Sequence, residues 1–97
     1  MELIPTKAYH ITVAGEITEI KPANGEDFKL EEVKSRVEGY IEVVNLNEEQ
    51  IMIVNEEGKF DKSYNMFATA IAHLHRAIAE RDCICGNVVV CPSSMLK

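Results

Sequence analysis

The 97-residue chain is about the size of one domain, and its 46% apolar composition can build one small core. Sixteen acidic residues against ten basic ones give a formal charge of −6, which opposes the phosphate neutralisation that nucleic-acid or anionic-membrane binding requires. No apolar run approaches the roughly 18–20 residues of a bilayer span, no basic-plus-apolar leader occupies Met1 to Thr12, and no tryptophan offers a stacking platform for bases, so the expectation is a single cytoplasmic domain, residues 1–97, with neither nucleic acid nor membrane as partner.

In chain order, Tyr9, Ile11 and Val13 alternate with polar residues, and Ile17 to Ile20 follow Gly15, which predicts a β-hairpin over residues 7–20 turning at that glycine. Turn chemistry at Pro22 to Asp27 leads to Leu30, Val33 and Val37 at helical spacing, with Glu31 and Glu32 at the favourable N-terminal end. The helix is expected to run to about Glu38, with Gly39 taking the left-handed position just past its end. Tyr40 to Asn45 and Gln50 to Asn55 are β-branched runs joined by Leu46-Asn47-Glu48-Glu49, a second hairpin, and Glu56-Glu57-Gly58 turns the chain out of it. Asp61 to Asn65 carries three capping-type residues, and Phe67, Ala70, Ile71, Leu74 and Ile78 then recur at the spacing of one helix face, so a helix ending near Arg81 is expected to pack that stripe inward. Val88 to Val90, closed by Pro92, is the last strand.

The layout is ββαββαβ, an α+β fold with a mainly antiparallel sheet of about five strands and two helices on one face. Ile51 to Val54 and Val88 to Val90 are apolar without alternation, the pattern of strands covered on both faces. Helices on one face would leave the other bare, so a homodimer or a partner protein is expected against these two strands, unless the N-terminal hairpin folds over them.

Gly39-Tyr40-Ile41-Glu42-Val43-Val44, Asn55-Glu56-Glu57-Gly58-Lys59-Phe60, Asn65 with Ala68-Thr69, and Asp82, Ile84 and Gly86 before Val88-Val89-Val90 stand in an order that resembles the family called domain of unknown function 3846, over about residues 29–91. That resemblance implies a small bacterial protein carried by phages, plasmids or conjugative elements, with an accessory role on mobile DNA and no assigned reaction. Lys29 stands where a capping Ser or Thr is common in the family, and Cys83 and Cys85 occupy positions that it does not fill with cysteine.

Among candidate sites, Asn55, Glu56, Glu57, Asn65 and Thr69 come first, because a strand-exit turn beside a helix start gathers carboxylates, amides and backbone N–H groups. The same residues are also ordinary turn and cap formers. Adjacent Glu56 and Glu57 point to opposite sides of an extended segment and make no catalytic pair. His73 and His75 are two residues apart on a helix, about 200° around it, and cannot chelate one ion together. Cys83, Cys85 and Cys91 have neither zinc-knuckle nor thioredoxin-type spacing; a zinc site would require Cys83 and Cys85 on one strand face with a histidine approaching, and buried small apolar residues are the simpler reading for at least two of the three. The five glycines are isolated, with no phosphate loop, and no serine sits in a nucleophile elbow. The expectation is therefore a non-enzymatic interaction module without catalytic residues, metal or cofactor. The alternative is a binder of a small nucleotide-like ligand at the Asn55 to Gly58 turn and the Asn65 helix start.

Overall fold

Both hairpins form where the β-branched runs stand. In the computed structural model, which describes residues 3–96, β1 (Ala8–Ile11) pairs antiparallel with β2 (Ile17–Ile20), and β3 (Ile41–Asn45) with β4 (Gln50–Asn55). Gly15, at φ +90°, turns the first hairpin. The last strand, β5 (Val88–Pro92), runs between the hairpins, antiparallel to β1 on one side and β4 on the other, which closes one five-stranded sheet in the order β2-β1-β5-β4-β3. The fold is α+β as expected. Three helices join the strands: α1 (Leu30–Val37), a single turn α2 (Gly58–Asp61) that the sequence reading did not contain, and α3 (Met66–Leu74).

The placement of the helices corrects the one-face expectation. Val33 and Val37 of α1 are buried with Ala8, Ile51, Ile53, Val89 and Cys91, whereas Ala68 and Ala72 of α3 are buried with Ile11, Met52, Val54, Val88 and Val90. Alternate residues of β4 and β5 thus enter two cores on opposite sides of the sheet. Non-alternating strands did signal cover on both faces, but the cover comes from the chain's own helices. Ile51 to Val54 and Val88 to Val90 are each 6% exposed or less, so neither side of the sheet is bare at these strands.

The helix ends have local causes. The Lys29 side chain has no oxygen with which to cap α1; Glu32 compensates by accepting from the Lys29 N–H (3.1 Å) and, with its other oxygen, from the Ala23 N–H (3.0 Å). Those two backbone donors hold its carboxyl below the usual range. At the other end Glu38, not Gly39, takes the left-handed conformation (φ 65°). Gly39 serves a different need, since a Cβ there would lie 2.7 Å from Nδ2 of Asn55.

Two further corrections concern α3. It stops at Leu74 rather than near Arg81, because Arg76 adopts a left-handed φ of 54° while its N–H bonds the His73 carbonyl and the Ala77 N–H bonds that of Ala72. These two bonds are a Schellman ending built without glycine. The helix also presents its small residues to the sheet. Phe67, Ala70 and Leu74 of the expected inward stripe are exposed, Leu74 by 80%, and only Ile71 and Ile78 pack against the core edge.

The rotation of α3 is directly testable by urea unfolding at low protein concentration. Ala72→Leu overpacks the sheet contact and is expected to cost about 1–3 kcal/mol, whereas Leu74→Ala removes an exposed side chain and is expected to change stability by less than about 0.5 kcal/mol. The reverse ranking would place the large apolar residues inward.

Candidate functional site

Asn65 precedes α3 in extended conformation and is fully buried. Its Oδ1 accepts from the Ala68 N–H (3.0 Å), the standard N-cap bond, while Nδ2 donates to the carbonyls of Ile11 (3.1 Å) and Gly86 (2.9 Å). Its backbone N–H donates to the Ile84 carbonyl (2.9 Å). One turn on, the Thr69 hydroxyl donates to that carbonyl (3.2 Å) and accepts from the Ile84 N–H (2.9 Å). Both residues are therefore occupied inside the fold, with every polar side-chain atom bonded.

Asn55 ends β4 ten residues before Asn65 and plays the corresponding part for α1. Its Nδ2 donates to the carbonyls of Val37 (3.0 Å) and Glu38 (3.3 Å), orphan acceptors at the end of that helix, and its Oδ1 accepts from the Glu57 N–H (2.8 Å). Glu56 and Glu57 are both exposed. Gly58 follows because the Cys85 carbonyl oxygen passes against it, in the space a Cβ would need. Of the five candidate residues, Asn55 and Glu56 share a groove; Glu57, Asn65 and Thr69 do not line it.

That groove, about 690 Å³, lies between the β3–β4 hairpin, α2 and the irregular segment that carries the chain from α3 to β5. On its walls Lys59 and Asp82 form an ion pair, with the Asp82 carboxylate also accepting from the Cys83 N–H (2.8 Å). The Lys59 contact lowers the Asp82 pKa and raises that of Lys59. His73 supports the same segment, its Nε2–H donating to the Asp82 carbonyl at 2.9 Å. Cys83 and Cys85 both open into the groove, half-buried, with sulfurs 3.9 Å apart. Burial, and then the neighbouring Cys83 thiol, push the Cys85 thiol up. The expectation of buried apolar residues, which covers at least two of the three cysteines, does not hold for Cys83 and Cys85. Their C-x-C spacing was the available signal, and Ile84 completes it by turning inward between them.

Cys91 is a core residue, fully buried on the α1 side, and burial pushes its thiol up to about 11. Among the described residues, no three His, Cys, Asp or Glu side chains converge as a metal site, and no helix is long and apolar enough to cross a membrane.

An antiparallel sheet with a helix on either face, each helix pinned by a buried or half-buried asparagine, defines a small α+β domain in which Asn65 and Ala68-Thr69 have structural positions. The chain belongs to the family described as Domain of unknown function (DUF3846), whose sequence pattern matches residues 6–94. The match includes the N-terminal hairpin, beyond the 29–91 span of the resemblance. No curated protein and no solved structure matches the chain.

Two measurements check these assignments. Asn65→Ala removes a cap worth about 1 kcal/mol and strands the Ile11 and Gly86 carbonyls at about 1–3 kcal/mol each, so chemical denaturation is expected to show a loss of roughly 3 kcal/mol or more. For Cys91 the folded thiol deprotonates later than the unfolded one, so its contribution is complete below about pH 9, the ordinary thiol value, and is lost as pH rises toward about 11. The urea midpoint is expected to fall over that interval, and Cys91→Ala to flatten the fall.

Proposed function

We propose that the chain is a non-enzymatic protein-interaction module of a mobile element or phage, and that it acts through the outward face of α3. The observation that carries this reading is the exposed apolar surface formed by Phe67, Ala70 and Leu74 with Leu3 and Ile17, around a hollow of about 360 Å³. Leu74, 80% exposed, and the uncovered part of Phe67, whose ring lies against Gly15, cost solvent ordering that a partner would remove.

The occupant is a second copy of the chain. A two-fold contact uses the same patch twice, so it needs a projection and a hollow on one surface. Leu74 supplies the first and the hollow beside Ile71 the second. Among the described residues no charged side chain lines the hollow, so two copies of charge −6 can meet there without like charges from these residues at the centre. Cytoplasmic location and the mobile-element role rest on composition and on what the family resemblance implies. The non-enzymatic reading is supported by the histidine hydrogen bonds among the described residues, which join His10 and His73 to backbone carbonyls and not to a hydroxyl or thiol.

Small-ligand binding is the second reading, favoured by the 690 Å³ groove with Asn55, Glu56 and Lys59 on its walls. Lys59 suits an anionic group, although Glu56 and Asp82 beside it oppose one. A thermal-shift survey of nucleotides tests this reading: a rise in melting temperature that Lys59→Met abolishes supports it, and no rise with any nucleotide overturns it.

Sedimentation equilibrium tests the leading reading. The chain is expected to form dimers whose fraction grows with concentration, and Leu74→Glu to be monomeric with an unchanged far-UV spectrum. A chain that stays monomeric up to millimolar concentration, or a dimer that survives Leu74→Glu, overturns this interface; a complex with a host or element protein in place of the dimer overturns the second copy as its occupant.

A further inference from the structure

Cys83 and Cys85 carry an inference independent of the α3 face. Ile84 between them is held at both backbone polar groups by the Thr69 hydroxyl, its carbonyl also accepts from Asn65, and its side chain is buried. Tyr64 pairs with Cys85, and the Gly86 N–H bonds the Ser63 carbonyl (2.8 Å). The backbone from residue 84 to 86 is thereby fixed, and both flanking side chains open to the same groove.

The sulfur separation discriminates between possible chemistries. At 3.9 Å it is nearly twice the roughly 2.05 Å of a disulfide. Two thiolates about 2.3 Å from one shared ion lie between about 3.8 Å apart in tetrahedral geometry and about 4.6 Å in linear geometry. The observed spacing lies near the tetrahedral end of that interval, and linear two-thiolate coordination draws the sulfurs about 0.7 Å further apart. A tetrahedral ion such as zinc needs two more ligands, and among the described residues no third His, Cys, Asp or Glu joins the pair. A soft ion content with two thiolates does not.

We propose that Cys83 and Cys85 form a two-thiolate site for a soft monovalent cation, monovalent copper being the natural choice. On binding, each thiol releases its proton to solvent, two sulfur–metal bonds form and the oxidation state of the metal is unchanged. The resulting centre carries one net negative charge. The Lys59 ammonium on the wall of the same groove brings a positive charge to that centre, partly offset by the Asp82 carboxylate with which it pairs.

The test is an anaerobic titration of the reduced full chain with Cu(I) against the colorimetric chelator bicinchoninate, with stoichiometry read by native mass spectrometry. The chain is expected to withdraw one Cu(I) per protomer. Cys91→Ser retains this capacity, Cys83→Ser and Cys85→Ser each lose it, and Lys59→Met weakens it about tenfold, as for other outer-shell groups. Because both sulfurs are only half-buried, the serine variants are expected to keep the wild-type urea midpoint, which separates lost ligation from lost fold. Failure to withdraw copper, copper retained by the Cys83→Ser/Cys85→Ser double variant, or one copper shared between two chains would each overturn the assignment.

Discussion

The rotation of α3 about its own axis is the constraint on which both outer surfaces of the molecule depend. Asn65, Ala68, Thr69 and Ala72 stand at i, i+3, i+4 and i+7 and form the inward face. Two of the four bring polar side chains whose partners lie on β1 and on the segment before β5. Turning the helix to bury Phe67 and Leu74 would recover at most about 1.5–3 kcal/mol for Leu74, and less for Phe67, which is already more than half covered. It would also strand the Ile11 and Gly86 carbonyls, the Ala68 N–H and the Ile84 N–H, at about 1–3 kcal/mol apiece. Four unsatisfied groups outweigh two buried hydrophobes, so hydrogen bonding decides the rotation. Small residues on that face complete the fit, because Met52, Val88 and Val90 already fill the space above the sheet.

This competition explains what the sequence disclosed about α3 and what it concealed. A periodic count weighs apolar residues by size and selects the stripe from Phe67 to Leu74, the side that the fold leaves in solvent. The correct face was visible only as Asn65 with Ala68-Thr69, a short polar and small-residue motif without apolar amplitude. Strand-level signals were more dependable. Both hairpins stand within a residue of their expected limits, and the unalternating strands β4 and β5 are covered on both faces as their composition required. Only the source of the cover was misplaced, since nothing in a linear pattern says on which side of a sheet a helix will cross. The Schellman ending at Arg76 was hidden for a related reason: its signal is normally glycine, and here tertiary contacts hold an arginine in the left-handed region.

The candidate polar cluster divided along the same line. Asn55 and Asn65 looked like ligand-binding amides because each follows a strand or precedes a helix, and for that reason each has backbone groups within reach that lack partners. Asn55 takes the orphan carbonyls at the end of α1, and Gly39 is small so that it can do so. Asn65 joins β1, α3 and the approach to β5. An amide can donate two hydrogen bonds and accept at its oxygen at once, whereas a hydroxyl has one proton to donate and a carboxylate none.

The segment between α3 and β5 shows how such anchoring creates a second surface. With its backbone bonded to Thr69 and Asn65, Ile84 must point inward, and its neighbours in an extended chain must then point away from the core. Cys83 and Cys85 are consequently brought together by a hydrogen-bond pattern that involves neither of their side chains. Cys91, a fixed member of β5, is buried by ordinary strand alternation and shares only its element type with them. Half-burial leaves the pair open to the groove, while the ion pair of Lys59 and Asp82 beside it is too exposed to add much stability and serves chiefly to set the local charge. The anchors that satisfy α3 therefore leave two chemically different surfaces behind, an apolar one where the helix turns its large residues outward and a sulfur-lined one where the backbone has no freedom to turn them inward.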